Sequence, residues 1–177
     1  MSQTSFNDLL SAQIGNEFAA SQQYVAIAVW FDHQALPRLA AHFYARSIEE
    51  RNHAMMLVQY RLDRNLRIEI PGVPAVRNDF TLAVEPIALA LAQEKQVTAQ
   101  IEAMFRAARA DGDALGEQAM LWFLKEQTEE VASMSTLLTV AQRAGDNLFD
   151  IESFIVRETV SGGPADYDAP GAAGGAL

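Results

Sequence analysis

The chain has 177 residues, half of them hydrophobic, with no cysteine and a formal net charge of −10. That length fits one domain with at most a short appendage. The lack of thiols excludes disulfides, thiolate zinc sites and iron–sulfur clusters, and the acidic balance argues against binding nucleic acid through its phosphates. The opening residues MSQTSFNDLL hold no basic segment ahead of an apolar run, and no stretch approaches the ~18 apolar residues of a membrane span. The expected setting is the cytoplasm, with neither nucleic acid nor membrane as partner.

In chain order, hydrophobic periodicity predicts an all-α fold of four long helices and a short fifth. The first is expected from about Phe6 to Asp32, and the second from Pro37, a good first-turn residue, to Arg64. The segment NLRIEIPGVPAVRNDF, with Pro71, Gly72 and Pro74, reads as an irregular connection. The third helix is expected from about Leu82 to Ala110, with Pro86 in its first turn. The DGD turn at Asp111 to Asp113 leads into the fourth, which ends near Gly145, and the fifth covers about Asn147 to Glu158. Residues 1–160 form the predicted domain, and 161–177, rich in Gly, Ala and Pro, are expected to be a disordered tail.

Connection lengths imply the topology. Short first–second and third–fourth turns make two antiparallel hairpins. A helix of ~28 residues is ~42 Å long, and ~17 extended residues reach ~56 Å. The long link can therefore span the bundle and leave the second and third helices parallel, the variant with one long crossover.

Spacings of three and four mark the stripe of each helix that faces a bundle core. The first stripe includes Leu10, Gln13, Glu17, Ala20 and Tyr24. The second includes Phe43, Arg46, Glu50, His53 and Leu57. The third includes Ala90, Glu94 and Val97, and the fourth Phe123, Gln127, Glu130 and Met134. Every long helix thus places a glutamate in its apolar stripe, at levels that meet in an antiparallel bundle. An isolated buried carboxylate is strongly disfavoured, and four together repel one another. Two divalent cations would neutralise them, and His53, three residues after Glu50, offers an imidazole nitrogen on the same face. Oxygen-rich donors with one histidine suit iron or manganese better than structural zinc. Glu49, Glu126 and Glu129 lie off the core line and read equally well as a solvated face; Trp30 and Trp122 read as packing residues.

These segments resemble the ferritins from Phe6 to about Glu158: I-G-N-E-F at Ile14 to Phe18, E-E-R-N-H-A at Glu49 to Ala54, A-Q-E-K around Glu94, and W-F-L-K-E-Q-T-E-E at Trp122 to Glu130. The resemblance is to bacterial non-haem ferritins of actinobacterial type, some of which are named bacterioferritins. It implies a ferritin-like four-helix bundle with a ferroxidase centre. Glu17, Glu50 and His53 would hold the first iron, with Glu50 bridging. Glu94 and Glu130 would hold the second, with Gln127 beside it and Tyr24 hydrogen-bonding the centre. Glu49, Glu126 and Glu129 would form a third iron position, giving two to three iron ions per subunit. Bacterioferritins carry a second E-x-x-H on the fourth helix and a haem-ligating methionine just before the second-helix histidine. Here Gln127-x-x-Glu130 and Asn52 stand at those places, so no haem is expected.

The implied activity is oxidation of Fe(II) by O2 or H2O2, with storage as hydrated ferric oxide in a 24-subunit homo-oligomeric cage. The apolar residues Leu148, Phe149, Ile151, Phe154 and Ile155 of the fifth helix form a face too large to leave in water; by resemblance it would line fourfold contacts. Asp113 and Glu117 are either threefold-pore residues or a solvated acidic turn. The tail is a candidate for docking in an encapsulating shell. Two alternatives remain from the sequence: a non-storing di-iron oxidase or peroxidase, and a DNA-protecting mini-ferritin.

Overall fold

The computed structural model describes residues 5–160 and 168–177. Five helices follow in order, with no strand among the described residues: α1 (Phe6–His33), α2 (Pro37–Asp63), α3 (Val84–Ala110), α4 (Ala114–Ala144) and α5 (Leu148–Val160). Ser5 caps α1, its hydroxyl oxygen accepting from the Asp8 backbone N–H at 3.3 Å. Asp113 caps α4 by accepting from the Gly116 N–H at 3.0 Å. Gly112 and Gly145 end α3 and α4 at φ 70° and 55°, where a side chain would be strained.

The helix α2 has proline at its start but no side-chain cap from its own flank. Glu152 of α5 supplies one. Its Oε1 accepts from the Leu39 N–H at 2.8 Å, and its Oε2 accepts from the Arg38 N–H at 3.0 Å. A carboxylate there meets unsatisfied N–H donors and the positive end of the helix dipole.

The α2–α3 crossover runs along α1. Pro71 approaches so closely that a Cβ built on Gly15 would lie 2.9 Å from its Cγ. Farther on, the Gln23 side chain accepts from the Arg77 N–H at 2.8 Å and donates to its carbonyl at 2.8 Å. Next, the Trp30 indole donates to the Phe80 carbonyl at 3.2 Å. Fifteen helical residues separate Gly15 from Trp30, a rise of ~22 Å. The link therefore carries the chain back along the bundle, so that α3 starts at the same end as α2 and runs parallel to it.

The buried apolar side chains fall into two clusters. One contains Tyr24, Phe31, Leu39, Phe43, Ile87 and Leu137. The other contains Phe6, Leu10, Leu57, Ile101, Met104 and Phe123. Between them lies a layer of buried polar side chains: Gln13, Glu17, Glu50, His53, Glu94, Gln127 and Glu130.

One expectation changes on folding. The apolar face of α5 is largely covered within the chain, because α5 folds back onto α2 and α4. Ile151 and Ile155 are buried, and Leu148 and Phe154 pack against the first cluster; Phe149 is 81% exposed. Of the segment expected to be disordered, 161–167 lie outside the described residues, whereas 168–177 lie against α2 and α4. There the Ala173 N–H donates to the Met55 carbonyl at 3.0 Å, and the Leu177 N–H donates to Asn52 Oδ1 at 3.1 Å. Small side chains let that backbone approach a helix surface closely; Ala172 and Ala173 pack against the second cluster.

Candidate metal centre

The polar layer is built by helical spacing. Glu50 and His53 share a face of α2, one turn apart, and Glu17 reaches them from α1. One ligand atom from each of Glu17, Glu50 and His53 lies within 4.8 Å of the others, and all three residues are buried. His53 Nδ1 is 3.7 Å from Glu50 Oε2. The imidazole is walled by the rings of Trp122 and Phe123, at centroid distances of 5.9 and 5.8 Å, so Trp122 orients a candidate ligand besides packing.

The other two predicted carboxylates are held by partners. Tyr24 donates its hydroxyl to Glu94 Oε1 while its ring packs on Phe43. Thr98, one turn after Glu94 on α3, donates to Gln127 Oε1 at 3.0 Å, which joins Gln127 of α4 to the layer. Arg46 binds Glu130 Oε1 and also Glu49 Oε2, the latter at 2.7 Å. Gln13 donates to Glu17 Oε1 at 2.8 Å and is in turn held by Asn16 at 3.0 Å.

These supports leave oxygens over. Glu17 Oε2, both oxygens of Glu50, Glu94 Oε2 and Glu130 Oε2 are buried without a hydrogen-bond partner. Each such group costs about 1–3 kcal/mol, more when charged, and native proteins keep them few unless a water or ion meets them. Burial pushes the carboxyl groups of Glu17, Glu50 and Glu94 above the ordinary range. The negative charge of Glu50 adds to this at Glu17, and that of Glu94 at Glu50. Burial likewise raises Glu130 to about 7, against the opposing pull of Arg46. Hard oxygen donors with one imidazole and uncommitted lone pairs at Glu17, Glu50 and His53 fit a divalent ion such as Fe(II), while Glu94 and Glu130 lie outside that close group. Without such cations the layer holds charge or protons at a cost.

The remaining candidates are placed differently. Glu49 and Glu129 are exposed on α2 and α4, and Glu126 is half-buried; none belongs to the close Glu17–Glu50–His53 group. Asp113 pairs with Arg64 at 3.0 Å, and Glu117 with Arg109 at 2.8 Å, so basic partners offset both acids. Asn52 binds the terminal Leu177. Arg46 and Gln13 were visible as polar residues on core stripes, but their partners were not. Thr98 gave only the weak signal of standing four residues after Glu94.

Comparison with known proteins agrees with this geometry. A ferritin-like domain model matches residues 7–144. The chain is 60% identical over 174 residues to ferritin BfrB of Mycolicibacterium smegmatis, covering 98% of this chain and 96% of that protein. The same identity and coverage relate it to the Mycobacterium tuberculosis protein named bacterioferritin BfrB. It is 31% identical to a bacterial non-haem ferritin of Staphylococcus aureus, over 79% of this chain and 84% of that one. Among solved structures, an open-pore ferritin from Archaeoglobus fulgidus superposes with a TM-score of 0.82 at 20% identity, covering 86% and 94% of the two chains, a likeness of fold. Two-hairpin topology, crossover, mid-bundle carboxylate layer and sequence similarity agree: the chain belongs to the ferritin family of iron-storage proteins, in its actinobacterial type.

Proposed function

We propose that this chain is a ferroxidase subunit that oxidises Fe(II) at a paired site and stores the ferric product as hydrated oxide inside a 24-subunit cage in the cytoplasm. The observation that carries the reading is the layer of four buried glutamates and one histidine, drawn from four helices, with five carboxylate oxygens unpartnered. In this reading Glu17 and His53 bind one Fe(II) as substrate, Glu94 and Glu130 bind the other, and Glu50 lies between them. Two Fe(II) ions held side by side can each give one electron to a shared O2 or H2O2. Gln13 and Tyr24 orient Glu17 and Glu94, and the apolar clusters on either side limit water. Glu49, Glu126 and Glu129 lead outward as a third iron position or exit route.

For assembly, the support is family membership and the exposed Phe149 on α5, a side chain suited to contact with another copy. No helix among the described residues is long and apolar enough to cross a membrane. The test is Fe(II) oxidation and ferric-oxide growth in the full chain and in Glu50→Ala, with size-exclusion chromatography of both. The expected result is a particle near 24 subunits, with rapid oxidation lost in the variant. Equal rates in the two proteins would refute the paired centre. A 12-subunit particle would favour the mini-ferritin reading and a dimer the non-storing oxidase.

A further inference from the structure

A permanent cation borders the polar layer. Arg46 lies one turn before Glu50 on α2 and three residues before Glu49, so all three emerge on neighbouring faces. Its Nη1 binds Glu49 Oε2 at 2.7 Å and also Glu130 Oε1 across the helix interface. The side chains are graded in depth: Glu49 is 49% exposed, Arg46 16% and Glu130 7%. The guanidinium therefore bridges the boundary between solvent and the carboxylate layer, and it keeps its charge at any ordinary pH.

This makes the two halves of the centre unequal. Glu17 is held only by a neutral amide, and Glu50 by no hydrogen bond at all. Glu130 already has one oxygen committed to a positive charge and only Oε2 open. A divalent ion that uses both oxygens of Glu130 meets a like charge at bonding distance. Arg46 has somewhere to go, because Glu49 is its second partner and sits farther out. Once withdrawn there, it neutralises one of the three outer carboxylates proposed as a third iron position.

We propose that Arg46 is a resident competitor cation: it must release Glu130 before the second divalent ion can take both oxygens of that carboxylate, and by retreating to Glu49 it keeps a third ion from settling on the outer side. This rests on the paired-centre reading above. The consequence is a firmly held first ion and a loosely held second, which leaves readily by the route that Arg46 guards.

The test is calorimetric titration of the assembled full chain with Zn2+, which is redox-inert, so the readout is binding rather than turnover. In Arg46→Gln the second binding event is expected to tighten by roughly tenfold. The first is expected to tighten less, since Arg46 touches Glu130 and reaches Glu50 only through space. Stoichiometry should rise from two to three ions per subunit. Arg46→Lys, which keeps the charge, should leave the second event weak. Glu49→Gln, an exposed change safe for folding, deprives Arg46 of its outer partner and should weaken the second event while sparing the first. A second event that is unchanged or weaker in Arg46→Gln would overturn the proposal, as would no effect of Glu49→Gln. A single weak event in the wild-type chain that survives Glu50→Ala would instead remove the paired centre, and this proposal with it.

Discussion

Replacing Glu50 with glutamine should move stability in opposite directions with and without metal. Glu50 is fully buried, with neither carboxylate oxygen hydrogen-bonded, and the charges of Glu94 and Glu130 add to the cost of ionising it. Glutamine keeps the shape, removes the charge and brings an NH2 group that can donate to the unpartnered oxygens of Glu17 or Glu94. Relief of one such unsatisfied group is worth about 1–2 kcal/mol. For a chain of this size that amounts to a rise in Tm of roughly 2–8 °C in chelator at pH 8. With Zn2+ at about one hundred times its Kd, the wild-type protein gains ~2.7 kcal/mol by mass action. Glu50→Gln, having lost the central ligand, gains far less, so the order of the two melting temperatures inverts. Thermal melts of both proteins, in chelator and in Zn2+, measure this directly. A lower Tm for Glu50→Gln in chelator, or an equal rise with Zn2+ in both proteins, would refute the reasoning.

Three further outcomes follow from the same structure. The buried carboxyls titrate above their ordinary value of 4.5, Glu130 at about 7. Between those values these four carboxyls bind more protons in the folded protein than in the unfolded chain, outweighing the half-buried His42, which partial burial lowers to about 4, and stability in chelator should fall as pH rises from 5 to 7. Calorimetry across that range would show it, and a rise in Tm with pH would contradict the assignment; saturating metal, which displaces those protons, should reverse the trend. Gly116→Ala places a Cβ 2.8 Å from Phe6 Cε1 and 3.1 Å from the Ala108 Cβ. The crowding should outweigh the helix-propensity gain and cost about 1–2 kcal/mol in denaturant unfolding, with Zn2+ stoichiometry unchanged. Glu152→Ala removes the carboxylate that caps α2. It should cost about 1–2 kcal/mol and speed hydrogen exchange in α5 and in the first turn of α2; unaltered exchange there would show that the cap is dispensable.

Helix existence was legible because amphipathic period is a local property. The predicted first helix, Phe6 to Asp32, differs by one residue from the observed Phe6–His33, and the predicted start of α3 at Leu82 by two from Val84. The glutamates were legible for a related reason. A charged residue at positions such as 17, 50, 94 and 130, inside an apolar stripe, conflicts with burial unless something compensates it, and the conflict is visible without knowing the neighbours.

The sequence alone therefore determined the five helices, the hairpin-crossover-hairpin order and the residue types that converge at mid-bundle. Only the tertiary structure decided who partners whom. Arg46 stood on a stripe as an unexplained polar residue until α4 was rotated and aligned so that Glu130 met it. Glu152 became the cap of α2 only once α5 folded back, which also covered most of the apolar face that had implied an outside partner. Ala173 and Leu177, in a segment featureless in composition, gained their places from the carbonyl of Met55 and the side chain of Asn52 respectively. Periodicity fixes which face of a helix is buried, but contact between helices depends on their mutual rotation and axial offset, which arise from all the side chains packing at once.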